Sequence, residues 1–224
     1  MESHPDRDRW ADAIAARVVR ALAGAGEKTF IATGGSSPGP VYDRLASAPL
    51  DWANITVTLS DDRWVDEASA HSNAALVRRR LLVGPASAAR FLPLPTGGAF
   101  LDQDVRTAEA MVGALPPIAV ALLGMGEDGH IASLFPGDPN LAQGLNPRGE
   151  RLCLGAPVAG LAPFVPRITL TMSALLRARA IVVMISGDTK RAMVLKAGED
   201  PTCDLPVAAL LRQTQVPVTV VWTP

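Results

Sequence analysis

Several stretches of this sequence carry side chains that can do chemistry, and most follow an apolar run. GMGEDGH (124–130) follows IAVALL. Its glycines at 124, 126 and 129 spell G-x-G-x-x-G, the pattern of a dinucleotide-binding turn. Such a site also needs a long helix opening at the third glycine, so that its N-terminus meets the pyrophosphate. Pro136 and Gly137 come seven and eight residues after Gly129, which leaves room for about two turns. The acid expected about 20 positions on should end a second strand, whereas Glu150 follows NPRG and precedes a strand-like run. The dinucleotide signature is therefore weak. Two readings remain: a Gly-rich turn with His130 as a polar cap, or a loop aiming Asp128 and His130 into a cleft. In the second, the glycines permit positive φ and close approach, and the acid orients the histidine or stabilises its charged form.

TGGSSPGP (33–40) follows the run KTFIAT and contains G-x-S-x-G at Gly35, Ser37 and Gly39. That is the pattern of a serine-esterase elbow, with Ser37 as nucleophile. Pro38, however, removes the backbone N–H after the serine, which an elbow needs as an oxyanion donor. An elbow also sits on a mid-sheet strand that follows several earlier ones, and this is the first strand of the reading. A phosphate loop explains more. Gly34 and Gly35 let backbone N–H groups approach an anion, Ser36 and Ser37 add hydroxyls, and Pro38 suits the first helical position. An ordinary turn with capping serines is the plain alternative.

SDDRWVDEASAHSN (60–73) puts Asp61 and Arg63 at a strand exit, either on a cleft rim or in a solvated, self-paired loop. His71 reads as a surface or capping group and His4 as tail. SGDTKRA (186–192) places Lys190 in the first turn of a helix, where the macrodipole disfavours a cation unless an anion binds nearby. Arg167 begins the strand RITLT and says little alone. It and Lys190, at the start of one strand and just beyond the next, are expected at strand ends of one sheet.

The elements that position these groups alternate. Helical spacing covers 6–23, 40–46, 72–82, 101–114, 172–178, 188–197 and 205–212; strand-like runs cover 28–33, 54–60, 91–94, 118–124, CLGAPV (153–158), RITLT, AIVVMIS and PVTVVW. This predicts an α/β, Rossmann-like fold: a mostly parallel sheet with helices on both faces, and a single domain over 1–224. Ligands bind such sheets beyond the carboxyl ends of the strands, so the loops after Thr33, Leu59, Leu123 and Ile185 should share one crevice. With 21 basic and 22 acidic residues the net charge is −1, which gives nucleic acid or an anionic membrane no bulk attraction. Cys153 and Cys203 have no metal-ligand spacing and read as buried free thiols. The polar start MESHPDRDRW and the short apolar runs point to a soluble cytoplasmic protein.

Taken in order, TGGSSP, DDRWV with HSN beyond it, GMGEDGHIASLFPG, PRITLT and SGDTK resemble the 6-phosphogluconolactonases of the pentose phosphate pathway. The resemblance runs from about Asp8 to Trp222. GMGEDGHIASLFPG is its most specific part. It implies a fold shared with glucosamine-6-phosphate deaminases and ribose-5-phosphate isomerases. It also implies His130 as catalytic histidine with Asp128 beside it, and Gly34, Gly35, Ser36, Arg167 and Lys190 around a sugar phosphate. Asp61 and Arg63 match its acid-acid-Arg segment. The departures are GGSSP for GGSTP, DDR for DER and GHIASLFP for GHTASLFP. Deaminases tend to have GHIAFNEP; their glutamate would fall at Phe135 or its neighbour, and no acid occurs here before Asp138.

The activity so implied is hydrolysis of 6-phospho-D-glucono-1,5-lactone, with His130 as general base and then acid, and no metal or organic cofactor. The expected partner is that small sugar-phosphate lactone, with neither nucleic acid nor membrane. A monomer is expected, with a dimer as the alternative. Two rival functions stay open: a non-catalytic sugar-phosphate-sensing domain, which would not need His130, and an esterase using Ser37.

Overall fold

The computed structural model describes residues 1–156 and 164–224. The chain opens with β1 (Glu2–Ser3) and α1 (Arg7–Leu22), whose N-terminus is capped by the Asp6 carboxylate accepting from the Arg9 N–H. The helix buries Trp10, Ile14, Val18 and Leu22 at helical spacing, and the Trp10 indole donates to the Val221 carbonyl. Then follow β2 (Lys28–Ala32), α2 (Gly39–Ala46), β3 (Ile55–Leu59), β4 (Asp61–Arg63), α3 (Asn73–Arg80), β5 (Arg90–Phe91), α4 (Leu101–Gly113) and β6 (Ile118–Gly124). The second half holds α5 (Leu141–Gly144), β7 (Cys153–Ala156), β8 (Arg167–Leu170), α6 (Met172–Leu175), β9 (Ile181–Ser186), α7 (Asp188–Glu199), α8 (Pro206–Arg212) and β10 (Val218–Thr223).

Seven strands form one parallel sheet in the order β1-β10-β9-β6-β2-β3-β5. Every residue of β3 is buried, as are all but one of β2, β6 and β9. Burial without alternation means that both faces are covered. The chain runs outward from β2 to β3 and β5, then returns to place β6 on the other side of β2. The loops after β2 and β6 thus diverge at a topological switch point, where α/β sheets bind ligands.

Three differences from the sequence expectation matter for the site. DDR is a strand, not a loop: β4 forms a second, antiparallel sheet, β4-β8-β7. RITLT and CLGAPV supply its other strands, so Arg167 is not at a strand end of the sheet that leads to Lys190. Pro157 and Val158 of the expected 153–158 strand lie outside the described residues. The two sheets meet at Ser60, whose N–H donates to Ala32 of β2 and whose carbonyl accepts from Leu170 of β8. His4 is not tail: Glu2 and Ser3 pair with Val221 and Trp222, and the His4 N–H donates to the Trp222 carbonyl. The stretch after Gly129 forms no helix. It is a tight turn closed by the pairings Met125–Ile131 and Ile131–Leu134. One hydrophobic cluster joins α1, the central strands of the main sheet, and Cys153, Ile168 and Leu170 of the second sheet. Both cysteines are free and buried, and burial pushes the Cys153 thiol up to about 12. Among the described residues no helix is long and apolar enough to cross a membrane.

Candidate active site

The loops after β2, β6 and β9 and the second sheet enclose a cleft of about 160 Å³. Gly34, Gly35, Ser36, Ser37, Asp61, Arg63, His130, Arg167 and Lys190 all line it. Asp128 does not; it stands behind His130.

The glycine loop leaves β2 under tight control. The buried Tyr42 hydroxyl accepts from the Thr33 N–H and donates to the Thr33 carbonyl. Burial raises this phenol well above its usual range, against the pull of the Thr33 hydrogen bond. A Cβ on Gly34 would lie 1.8 Å from Asn73 Oδ1, so a larger residue there must displace the Asn73 amide or the loop. Pro38 sits at the cap of α2 rather than at its first helical position.

The second sheet brings in the charges. Asp61 is buried; its Oδ1 accepts from the Ser60 hydroxyl at 2.8 Å and its Oδ2 from the Ser133 hydroxyl at 2.6 Å. Asp62 points elsewhere and anchors α3. It accepts from the N–H groups of Arg63, Asn73 and Ala74. Burial pushes its carboxyl up to about 6, and those three donors oppose the shift. Neither acid is the solvated loop residue of the plain reading. Arg63 and Arg167 are cross-strand partners. Arg63 Nη1 donates to the His71 carbonyl at 2.7 Å and to Asn73 Oδ1 at 2.9 Å. Burial and the Arg63 charge hold Arg167 below the usual arginine value, while Asp61 and Asp62 oppose them. Guanidinium stays charged at any working pH. The lowering reflects the burial of that charge first and the neighbouring Arg63 cation second.

The turn after β6 holds the imidazole. His130 Nδ1 lies 2.6 Å from Asp128 Oδ1, and the same oxygen accepts from the His130 N–H at 3.2 Å. The Gly126 N–H donates to the His130 carbonyl and closes the turn. A Cβ on Gly126 would fall 2.1 Å from His130 Nδ1, so this glycine makes room for the His–Asp pair. Burial alone would raise the Asp128 carboxyl, but the hydrogen bonds and charge of His130 outweigh it and hold it below the ordinary range. With Nδ1 engaged, Nε2 is the nitrogen left to the cleft. The dinucleotide reading fails on geometry, because no helix N-terminus opens at Gly129. Lys190 enters from the first turn of α7, after a cap at Gly187.

Two of the lining residues that sequence reasoning missed, Asn73 and Ala132, shape the site. Asn73 reads as a helix start, yet its amide also braces Arg63 and donates to the Asp61 carbonyl at 2.9 Å. Its only sequence signal was the HSN triplet. Ala132 sits in the left-handed region at φ +50, an uncommon conformation for a residue with a Cβ. It turns Ser133 toward Asp61 and Thr169, and nothing local in the sequence signals it.

Residues 5–222 match the family model of glucosamine-6-phosphate isomerases/6-phosphogluconolactonase. The chain belongs to this family. A 6-phosphogluconolactonase from Caulobacter vibrioides is 46% identical over 226 aligned residues, covering 99% of this chain and 96% of the relative. One from Pseudomonas putida is 43% identical, covering 94% and 86%. The crystal structure of a 6-phosphogluconolactonase from Shewanella baltica superposes with a TM-score of 0.91 at 30% identity, covering 100% of this chain and 97% of that one.

Proposed function

We propose that this protein hydrolyses 6-phospho-D-glucono-1,5-lactone to 6-phospho-D-gluconate in the oxidative pentose phosphate pathway. One observation carries the reading: a histidine fixed at Nδ1 by Asp128 faces a cleft that also gathers Arg63, Arg167, Lys190 and a Gly-Ser loop. The family's relatives named for this activity support it.

The geometry suits a cyclic ester with a phosphate at its far end. His130 Nε2 takes a proton from water as the oxygen attacks C1. The charge that develops on the carbonyl oxygen is met by Arg63, a cation already held in place by Asn73 and the His71 carbonyl. The bond from C1 to the ring oxygen then breaks, and the imidazolium returns its proton to that oxygen. The new carboxylic acid ionises and releases one proton. Asp128 keeps the imidazole in the tautomer that leaves Nε2 free to accept, and steadies the imidazolium between the two transfers. Arg167, Lys190 and the donors of residues 34–37 take the phosphate.

The serine route has less support. Ser37 precedes Pro38, which has no N–H to offer an oxyanion, and among the described residues no histidine hydrogen-bonds Ser37. A sensing domain would have no use for the His130–Asp128 pair. We read residues 1–224 as one working unit, because both ends of the chain pair in the same sheet. The test is hydrolysis of the phosphorylated lactone by purified protein, with 6-phosphogluconate formation followed continuously and spontaneous hydrolysis subtracted. A rate no faster than the spontaneous one overturns the proposal.

A further inference from the structure

Phe135 is buried, at 2% exposure, and touches two residues that line the cleft. Its ring centroid lies 4.5 Å from that of His130, with the planes inclined at 50°. The Arg167 guanidinium carbon stands over the same ring, 5.1 Å from its centroid. One side chain thus meets both the proton-transfer group and a phosphate-binding group.

We propose that Phe135 is a positioning residue for both: its ring sets the plane of the His130 imidazole and seats the Arg167 guanidinium. The inference rests on the hydrolase reading above. The hydrogen bond from Nδ1 to Asp128 fixes one corner of the imidazole but not its tilt, and an aromatic neighbour supplies a second, directional contact. The ring face attracts a guanidinium, and more so where water is excluded. Arg167, 4% exposed, is in such a place. The chemistry of the contact matters as much as its shape. An acid at this position would neutralise Arg167 and compete for the His130 proton. An apolar ring holds both groups without adding a charge beside either.

The test uses Phe135→Leu, which fills much of the volume without a face, and Phe135→Tyr, which keeps the ring. For the Leu variant, kcat should fall on both the phosphorylated and the unphosphorylated gluconolactone, by about 10-fold to 100-fold for a base displaced by up to an ångström. KM should rise for the phosphorylated lactone alone, by the roughly 2-fold to 30-fold that a cation–π contact represents. The Tyr variant should recover most of both losses. Calorimetric titration with inorganic phosphate gives a readout that needs no turnover. Its affinity should fall on Phe135→Leu in the wild-type background and not fall further in an Arg167→Ala background. Should the Leu variant not fold, Phe135→Met takes its place, with thermal unfolding as the check. Equal KM changes on the two lactones, phosphate losses that simply add across the two backgrounds, or a folded Tyr variant as poor as Leu would each overturn the inference. A wild type that hydrolyses neither lactone would sink the hydrolase reading instead, and the phosphate cycle would still decide whether the ring seats Arg167.

Discussion

Gly34→Ala is a one-carbon change whose consequence can be worked out from the cleft. The added Cβ would lie 1.8 Å from Asn73 Oδ1, 2.0 Å from its Cγ and 2.3 Å from its Nδ2. All three are amide atoms, so the Asn73 side chain or the loop must move. That amide donates to the Asp61 carbonyl and accepts from Arg63 Nη1, both at 2.9 Å. Displacing it loses one neutral hydrogen bond of about 0.5–1.5 kcal/mol and one to a charged group of about 1.5–3 kcal/mol. The sum, about 2–4.5 kcal/mol, corresponds to roughly 30-fold to 2000-fold in kcat/KM if all of it is felt in the transition state. The loss in kcat/KM comes from the displaced Arg63 and glycine loop; any remainder appears as a lower Tm. Gly35→Ala is the control. Gly35 has φ +92 and no atom within 4 Å of a built Cβ, so it incurs only backbone strain of about 1–2 kcal/mol. The assay is kcat/KM for the phosphorylated lactone in Gly34→Ala, Asn73→Ala and the double variant. Because the clash and the lost bonds share one partner, the double variant should be little worse than Asn73→Ala alone. Additive losses, or a Gly34→Ala enzyme no worse than Gly35→Ala, would refute this account of the loop.

The other predictions concern Arg167 and Lys190, Ser37 and Asp128. Arg167→Ala and Lys190→Ala should each raise KM for the phosphorylated lactone, together changing kcat/KM by roughly 10²–10⁴, with much smaller losses on unphosphorylated gluconolactone; equal losses on the two substrates would remove the phosphate assignment. Ser37→Ala should weaken substrate binding modestly and leave turnover, and a fluorophosphonate probe should leave Ser37 unlabelled; abolished turnover with a stoichiometric adduct would make Ser37 the nucleophile. Asp128 is held below the ordinary carboxylate range, so its contribution to stability is full above that range and is lost as pH falls through its depressed value. The Tm gap between wild type and Asp128→Asn should therefore be widest above about pH 4 and close on further acidification; a gap that does not change with pH would deny the coupling to His130.

The sequence made the central strands readable because they are buried on both faces and appear as short apolar runs such as IAVALL and IVVMIS. It made the crevice readable because in such sheets the strand exits converge. The second sheet was not readable. DDR has no apolar periodicity, and it becomes a strand only because β8 lies beside it, Ser60 and Ser133 satisfy Asp61, and Asp62 caps α3. Those partners come from as far along the chain as Thr169, which pairs with Asp61 across the second sheet. The two-residue β1 is too short to carry any pattern, and only the edge of β10 makes it a strand. The turn after Gly129 misled for a related reason: its spacing fits a short helix, but the pairing of Met125 with Ile131 closes it first. Among the candidate residues, His130, Asp128 and the glycines were legible from type and spacing. The bracing role of Asn73 and the placement of Phe135 against both His130 and Arg167 exist only in three dimensions.

Proton transfer at His130 is the central step of the proposed hydrolysis. His130→Asn keeps a polar ring-sized amide in place while removing the group that titrates, and its folding can be verified by thermal unfolding. Steady-state hydrolysis of 6-phosphogluconolactone, with spontaneous hydrolysis subtracted, then isolates the chemistry. The prediction is a KM close to that of the wild type and a kcat lower by about 10²–10⁴. A folded His130→Asn protein with wild-type kcat would contradict the mechanism.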